Sequence, residues 1–220
     1  MIRLEKLPIP KVLADNEEQW TEEYVACITA GEKPPKALVR SYAHPSIKKV
    51  LEEDTHKKCA YCESKMLSTS YGDIEHILPK SKRPDLCFTW ANLTLACEKC
   101  NRHHKNDYYN EEFPLVNPYV DDPDRYFVAA GAFMYPYQGD ARAEITWKTL
   151  GLDRNGLVEE RKERLDYVYT LLVGWKNAGP TDPRKAIWEE QLHLEYGKDK
   201  KYSFIVKGFL KLHDFPVQST

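Results

Sequence analysis

Long apolar runs are missing from this chain of 220 residues. No run of about 18 apolar residues occurs, whereas a helix that crosses a membrane needs roughly 20. The opening segment, MIRLEKLPIPKVLADNEE, also lacks the apolar stretch of a signal peptide. We therefore predict a cytoplasmic protein that has no membrane partner.

A large net charge of either sign is also missing. The 32 Lys and Arg residues are balanced by 34 Asp and Glu residues, which gives a formal charge of -2. This balance excludes a protein that coats DNA through overall positive charge, so any contact with nucleic acid must come from a local patch. The sequence also has no Gly-rich phosphate loop, which excludes a nucleotide-driven motor within the chain.

Cysteine is sparse, but four of the six cysteines form two Cys-x-x-Cys pairs. Each pair aims two sulfurs at one point, so two pairs complete the four-thiolate shell of a structural zinc ion. A reducing cytoplasm also favours metal binding over disulfides. The predicted zinc ligands are Cys59, Cys62, Cys97 and Cys100. The remaining Cys27 and Cys87 have apolar or aromatic neighbours, and we predict that both are small buried hydrophobes.

Residues 1–57 are predicted to form a helical lead-in that packs on the cysteine-containing module. Two prolines indicate an extended arm over residues 1–14. A helix is then predicted between Asp15 and Gly31, with an inward face made of Trp20, Tyr24, Cys27 and Ile28. A second helix is predicted to start near Pro45, with Ile47, Val50 and Leu51 turned inward.

Residues 58–115 contain the module that carries the chemistry. Gly72 and Pro79 bound a predicted strand from Tyr71 to Pro79, and a loop over residues 80–92 follows. A second strand is predicted at Leu93–Ala96, and a helix is predicted to start near Asn101. Two strands, a helix and cysteine knuckles at their base predict a ββα-metal module.

Residues 116–220 are predicted to be mainly helical. A hairpin is predicted from two strands, Tyr126–Met134 and Ile145–Trp147. Three helices should follow. Their inward residues are predicted to be Leu157, Arg161, Leu165, Val168 and Leu172 in the first, Ile187, Trp188, Gln191 and Leu194 in the second, and Ile205, Val206, Phe209 and Leu210 in the third. The predicted fold class is therefore α+β.

The module resembles the HNH endonucleases residue by residue. Glu75-His76-Ile77, followed by Pro79, stands where the family has an acidic residue and then the His that serves as general base. Asn92-Leu93 stands where the middle Asn pins a loop, and Asn101 stands where an Asn or His binds the metal. The family often has Lys three residues after this last position, whereas His104 occupies that place here and Lys105 comes next.

The resemblance implies a metal-dependent phosphodiesterase with His76, Asn92 and Asn101 as its catalytic residues. A neutral imidazole can take a proton from water at cellular pH, which suits a partly exposed His76 for the general base. A carboxylate and an amide oxygen suit a hard divalent ion, so Glu75 and Asn101 are predicted to hold Mg²⁺ or Mn²⁺, with Asp73 touching the ion or its shell. The alternatives to these catalytic roles are that His76 is a structural residue and that Asn92 braces the loop.

Several basic residues border the predicted site, where the phosphate of a substrate would lie. The predicted nucleic-acid contacts are Lys80, Lys82, Arg83, Arg102, His104 and Lys105. For His104 the alternative is a plain surface position.

The segments CAYCE, GDIEHILPKS, FTWANL, NPY and TWKTLGLDR resemble the HNH component of Septu-type anti-phage systems, including those of some retrons. The resemblance implies a bacterial nuclease that works beside an ATPase of the ABC or SMC-like type, and in retrons beside a reverse transcriptase and its RNA–DNA product. DNA is favoured as substrate over RNA such as tRNA. The alternative from another class is a zinc-ribbon binding module without catalysis. The helices after residue 155, or the N-terminal arm, are predicted to dock the ATPase.

Overall fold

The computed structural model describes residues 1–66 and 72–218, so Tyr71, where the first strand was predicted to begin, lies outside the described residues. No helix within these ranges is long and apolar enough to span a membrane. The predicted region boundaries at residues 57 and 115 stay predictions. All three regions contribute side chains to one hydrophobic core, for example Leu51, Leu93 and Leu172.

The N-terminal region is helical, but its arm is packed into the molecule. Met1 and Leu4 are buried, and the helices that follow are α1 (Lys11–Ala14), α2 (Glu17–Thr29), α3 (Lys36–Val39) and α4 (Pro45–Asp54). The predicted helix start near Pro45 agrees with α4, where Ile47 and Leu51 are buried.

The predicted inward face of α2 is only half correct. Tyr24 is buried, and the rings of Trp20 and Tyr24 both contact the ring of Phe88. Ile28 is 42% exposed and Cys27 is only half-buried, against the prediction that both face inward. The reason is that the aromatic contacts of α2 to Phe88 come from residues before Val25, so the last turn reaches solvent.

Two short antiparallel strands carry the predicted site. The strands are β1 (Asp73–His76) and β2 (Leu93–Ala96), paired from Asp73 opposite Ala96 to His76 opposite Leu93. The bounds of β2 agree with the prediction, whereas β1 ends earlier than Pro79. All four residues of β2 are buried because α4 packs against this strand.

The predicted helix after the second cysteine pair starts two residues early and differs in type. It runs over Lys99–Lys105 as a π-helix, in which the amide of Asn106 donates to the carbonyl of Asn101 at 2.7 Å. A π-helix bonds each amide to the carbonyl five residues earlier, so its turn is wider than that of an α-helix. The wider turn rotates His104 away from the face of Asn101, whereas Lys105 stays near it.

The predicted hairpin is wrong in both strands, because the predicted first strand, Tyr126–Met134, contains β3, the turn and the start of β4. The hairpin pairs β3 (Phe127–Ala130) with β4 (Phe133–Pro136), and Gly131 takes a positive φ of 58° in the turn. Residues Ile145–Trp147 instead belong to α5 (Ala141–Thr149). That helix starts where Asp140 Oδ1 accepts a hydrogen bond from the Ala143 amide at 2.9 Å, which satisfies a free donor of the first turn.

Three helices close the chain, as predicted. They are α6 (Asn155–Asn177), α7 (Arg184–Glu195) and α8 (Ser203–Leu212). All five predicted inward residues of α6 are buried. Among the predicted inward residues of α8, only Phe209 is half-buried rather than buried.

The predicted face of α7 is wrong for two of its four residues, since Trp188 and Gln191 are half-buried. Ile187 and Leu194 are 60% and 51% exposed, whereas Leu192 and Glu195 are buried. The Glu195 carboxylate pairs with the Arg164 guanidinium of α6. The buried face of α7 therefore includes Glu195 and differs from the face that the spacing of apolar residues predicts.

A buried carboxylate joins three distant parts of the chain. One oxygen of Glu63 contacts the amino group of Met1 at 2.7 Å, and the other accepts from Lys58 Nζ at 3.3 Å and Ser203 Oγ at 2.7 Å. Burial alone would raise the pKa of Glu63, but the two cations outweigh this effect and lower the pKa to about 2. Glu63 therefore stays ionised and connects the first cysteine knuckle to the chain start and to α8.

We predict that Glu63→Gln lowers the free energy of unfolding by about 3–5 kcal/mol, because buried cations lose the charge that neutralises them. Chemical denaturation of the purified protein measures this change. Glu159→Gln is the matched control, since the Glu159 ion pair with Lys162 lies at the surface and should contribute less than about 1 kcal/mol. Equal effects of the two substitutions would contradict the role of Glu63.

Candidate active site and metal centre

The four predicted zinc ligands come together at the base of β2. The first knuckle is closed by the Cys59 amide, which donates to the Ser64 carbonyl at 3.0 Å, and the Ala60 amide attaches it to Leu95 of β2 at 3.0 Å. The second knuckle follows β2 directly, and there the Asn101 amide donates to the Cys97 carbonyl at 3.0 Å. The sheet therefore positions both knuckles.

The geometry of the sulfurs fits a tetrahedral ion. All four Sγ atoms lie within 4.8 Å of one another, and the Cys62 and Cys97 sulfurs are 3.7 Å apart. A tetrahedron with Zn–S bonds of about 2.3 Å has edges of roughly 3.8 Å, so small adjustments would suffice. Within the described ranges, no other group of three or more Cys, His, Asp and Glu side chains is assembled for a metal.

Two arginines of the C-terminal region lie near the thiolates. Arg154 Nη1 is 3.6 Å from Cys100 Sγ and also donates to the Gly151 carbonyl at 3.0 Å. Arg161 is buried and donates to the Leu152 carbonyl at 2.9 Å. A zinc ion with four thiolates carries a net charge of about -2, and nearby guanidinium groups offset that charge.

A cleft lies at the end of β1, on the other side of the π-helix from Cys97. Its volume is about 390 Å³, and its walls include Tyr42, Glu75, His76, Lys80, Asn101 and Lys105. Adjacent residues of a regular strand point to opposite faces. Glu75 and His76 nevertheless line one cleft because β1 ends at His76.

His76 is held in one neutral form. It is 7% exposed, less than predicted, and its ring packs edge-on against Tyr42 with centroids 4.7 Å apart. Nε2 lies 2.9 Å from the Cys87 carbonyl oxygen, so Nε2 must carry the hydrogen and Nδ1 keeps its lone pair. Burial lowers the pKa of His76 to about 4 although the Cys87 carbonyl opposes this shift. The imidazole is therefore neutral and able to accept a proton at cellular pH.

The side chain of Asn92 makes three hydrogen bonds to the loop after β1. Its Oδ1 accepts from the Leu78 amide at 2.8 Å, and Nδ2 donates to the carbonyls of Leu78 and Leu86, both at 3.0 Å. The side chain is buried and does not line the cleft. Asn92 therefore holds the Cys87 carbonyl in place from a distance, and both N–H donors of its side chain are used by the loop.

Glu75 and Lys105 form a buried ion pair in the cleft. Lys105 Nζ is 2.5 Å from Glu75 Oε1 and donates to the His76 carbonyl at 2.9 Å. Burial raises the pKa of Glu75, and the attraction of Lys105 opposes that rise. Lys105 is 2% exposed, so it is not the surface phosphate contact that the sequence predicts. The π-helix explains the family difference: it brings Lys105, not His104, to the face of Asn101.

Asp73 is turned away from the cleft by Arg102. The guanidinium donates two hydrogen bonds to the Asp73 carboxylate, at 2.8 Å and 2.7 Å, and the Asn101 amide lies 3.5 Å from the same carboxylate. Asp73 is absent from the walls of the cleft. Asp73 therefore does not line the cleft, and its predicted contact with the ion or its shell and the predicted phosphate contact of Arg102 stay predictions.

Residues 59–107 match a family model described as HNH endonuclease. The chain belongs to the HNH endonuclease family. Septu protein PtuB of Bacillus mycoides (strain KBAB4) is 31% identical over 195 residues, which cover 73% of this chain and 66% of that protein. Septu protein PtuB of Bacillus thuringiensis is 31% identical over 156 residues, which cover 70% of this chain and 55% of that protein.

A third relative is a retron Vc95 protein of Vibrio cholerae serotype O1 biovar El Tor whose name includes HNH endonuclease. It is 28% identical over 146 residues, which cover 60% of this chain and 71% of that protein. The chain spans 66% and 55% of the length of the two PtuB relatives, so about a third to a half of each has no counterpart in the match.

The other basic residues predicted to contact nucleic acid are spread around the HNH domain. Lys80 lines the cleft, where its Nζ lies 2.9 Å from the Tyr42 hydroxyl. Lys82 is exposed outside the cleft, and Arg83 is paired with Asp85. His104 faces away from the cleft, since its ring approaches Gly151 on the far side of the π-helix. Only Lys80 and Lys105 thus line the cleft itself.

Sequence reasoning missed two groups that shape the site. Tyr42 packs on the His76 ring and holds Lys80, and the Cys87 backbone carbonyl fixes the histidine tautomer. The spacing of Tyr42 before α4 gives no signal of this contact. Cys87 is buried as predicted, but its function lies in its carbonyl, which no side-chain pattern reveals.

We predict that Cys59→Ser removes the bound zinc and makes the HNH domain unfold, because structural zinc sites contribute on the order of 10 kcal/mol to folding in peptide systems. Elemental analysis and thermal denaturation of the purified protein measure both effects. Cys27→Ser, at a half-buried cysteine outside the cluster, should keep one zinc per chain and a nearly unchanged melting temperature. Well-folded parent protein without zinc would contradict this assignment.

Proposed function

We propose that this protein is a metal-dependent HNH endonuclease that hydrolyses phosphodiester bonds with His76 as general base. The single observation that carries this proposal is the hydrogen bond from Nε2 of His76 to the Cys87 carbonyl. It leaves the Nδ1 lone pair for a water molecule, and Nδ1 has no hydrogen bond to any described residue. A non-catalytic zinc-ribbon module would have no need for a buried histidine held in a basic tautomer beside an open cleft.

The chain's own residues supply positioning and proton transfer. His76 takes a proton from water, and the hydroxide attacks phosphorus in line with the leaving 3′-oxygen. The side chain of Lys80 lies at the cleft wall, where it can hold a nonbridging phosphate oxygen. Asn92 contributes indirectly, because its three hydrogen bonds fix the loop that presents Cys87.

Asn101 and Glu75 are the residues that would hold a divalent ion, Mg²⁺ or Mn²⁺. Both line the cleft together with His76. Glu75 Oε1 is buried against the ammonium group of Lys105 at 2.5 Å, so a divalent ion bound there would replace that ammonium group as the partner of the carboxylate. Such an ion would supply charge stabilisation for the phosphorane and the leaving oxygen. Asp73 would act only through Asn101.

The names of the relatives support a role in anti-phage defence. Two relatives are named Septu protein PtuB, and the third is named for a retron. We infer DNA as the substrate in preference to RNA, although a ββα core contacts backbone more than base. Cleavage of plasmid DNA and of tRNA, each with magnesium, manganese or EDTA, distinguishes the two substrates and the non-catalytic alternative.

We predict that His76→Gln lowers the cleavage rate by roughly 10²- to 10⁴-fold, the usual contribution of a general base. The Gln amide can still donate to the Cys87 carbonyl, so zinc content and folding should survive. His76→Ala would leave that carbonyl unpaired in a buried place and is the poorer test. The matched control is His193→Gln, a histidine of α7 outside the cleft. Full activity of His76→Gln would refute the proposed base.

We also predict an unusual pH dependence for the parent. Because burial holds the pKa of His76 at about 4, the imidazole stays neutral down to about pH 5. The cleavage rate should therefore be nearly flat between pH 8 and pH 5.5, whereas an ordinary histidine would lose half its base form near pH 6.5. A rate that halves near pH 6.5 and depends on His76 would show that the buried, neutral state is not the active one.

We further propose that an ATPase of the ABC or SMC-like type docks on the C-terminal helices, with a reverse transcriptase as an added partner in a retron context. The N-terminal arm offers the ATPase little docking surface, because Met1 and Leu4 are buried. The aromatic residues of the tail are largely core, since Tyr196 and Tyr202 are buried. The better support is the exposed apolar pair Ile187 and Leu194, seven residues apart on one face of α7.

We predict that the double substitution Ile187→Glu and Leu194→Glu weakens a complex with the ATPase at least tenfold, because charge on an apolar contact must be desolvated. Co-expression with an ATPase encoded beside this gene, followed by pull-down, measures the effect. Removal of residues 156–220 would destroy the core of α6 and is unsuitable. Leu212→Glu, an exposed apolar residue of α8, is the control. An undiminished complex would exclude this face of α7.

A further inference from the structure

A second and larger cavity lies on the other side of the π-helix from the cleft. Its volume is about 670 Å³, and it is bounded by the first cysteine knuckle, the π-helix and the start of α6. Cys97, the one half-exposed cysteine of the cluster, forms part of its wall. We call this cavity the zinc-side groove, lined chiefly by Lys65, Lys99, His104, Arg154, Glu160 and Lys201.

The two cavities differ sharply in charge. The zinc-side groove has three lysines, Lys65, Lys99 and Lys201, against one carboxylate, Glu160, whereas its Arg154 offsets the charge of the neighbouring thiolates. The cleft is formally neutral, because Lys80 and Lys105 are balanced by Glu75 and Asp107. Affinity for a polyanion comes mainly from cations that neutralise phosphates. A neutral cleft is therefore a weak anchor for nucleic acid, whereas the groove is suited to hold it.

Two lysines of the groove have no carboxylate partner among the described residues, although Lys201 Nζ also lies 5.9 Å from the centroid of the Tyr202 ring. Lys99 and Lys201 form no ion pair or hydrogen bond with any described residue, and Lys99 is exposed. Arg154 is anchored by the carbonyls of Leu150 and Gly151 beside Cys100, so its charge offsets the thiolates rather than adding to that of the lysines. Glu160 is held by the hydroxyl of Tyr202, which keeps the carboxylate at the rim near Lys201.

The π-helix connects the groove to the cleft. Lys99 and His104 line the groove, whereas Asn101 and Lys105 line the cleft, and all four belong to the same seven-residue segment. A nucleic-acid backbone that crosses this segment would reach both cavities. The zinc-side groove and the cleft with the proposed His76 site therefore share the π-helix as a wall.

We propose that the zinc-side groove binds the phosphate backbone of the nucleic-acid substrate and supplies most of the charge-dependent affinity, while the cleft supplies the chemistry. This inference rests on the proposed endonuclease function. It assigns binding to Lys65, Lys99 and Lys201, none of which the sequence singles out, and it places His104 at the groove.

The test measures binding of a 20-base-pair DNA duplex by fluorescence anisotropy without added divalent ions, on a His76→Gln background. Replacing Lys99 and Lys201 together by Gln should lower affinity roughly tenfold to hundredfold near 0.1 M salt. The slope of log affinity against log salt should fall by about 2, since each phosphate contact adds about 0.9. Glu160→Gln should act in the opposite direction and tighten binding.

The matched control is the double variant Lys33→Gln and Lys176→Gln, which removes two exposed positive charges far from both cavities. Affinity and salt slope that match this control would overturn the inference. Zinc content and melting temperature are measured for every variant because Lys99 lies within a cysteine knuckle. Should Lys99→Gln lose zinc, the pair Lys65→Gln and Lys201→Gln replaces it, with the same two outcomes.

The experiment separates this inference from the proposed function. Weaker binding by the lysine variants together with plasmid cleavage by the parent supports both. Weaker binding by the lysine variants without any cleavage by the parent supports binding at the zinc-side groove and refutes the proposed nuclease activity. Competition by millimolar inorganic phosphate that equals the effect of the lysine substitutions would overturn the backbone assignment, because it would show a site for a single small anion.

Discussion

The convergence of four cysteine sulfurs is the constraint on which the rest of the HNH domain depends. The first knuckle is bonded to β2 through Ala60, and the second follows β2 directly, so an ion bound by all four thiolates fixes both ends of the two-stranded sheet. Two strands of four residues could not hold this arrangement alone. Because β1 ends at His76, the metal centre also determines where the base, the loop brace Asn92 and the π-helix lie.

The same region shows how a short π-helix changes the meaning of a sequence pattern. In an α-helix, the residues three and four positions after Asn101, His104 and Lys105, would both lie beside it. The wider turn keeps Lys105 at the cleft and sends His104 to the groove. The buried pair of Lys105 and Glu75 then costs desolvation that only close contact repays. Divalent-ion binding at Glu75 would have to displace this contact.

Local sequence signals predicted the parts of the fold that local physics decides. The cysteine spacing, the bounds of β2, the start of α4 and the inward stripe of α6 all agree with the structure, since each follows from ligand geometry or periodicity. The strand predicted at Ile145–Trp147 failed because the Asp140 cap starts a helix. The prediction for α7 failed because the face with Glu195 packs inward, where Glu195 pairs with Arg164, so Ile187 and Leu194 are exposed.

The site itself was predictable in residue type but not in environment. The motif named His76 and Asn101, and the structure places both at one cleft. Burial of Lys105, the commitment of Arg102 to Asp73 and the donation from His76 to the Cys87 carbonyl all depend on residues distant in sequence. Those contacts consume the positive charge that a sequence count assigns to the cleft. Lys105 is spent on Glu75, which leaves Lys80 as the cleft lysine available for phosphate, and further lysines lie across the π-helix in the zinc-side groove, where we propose that most of the backbone is held.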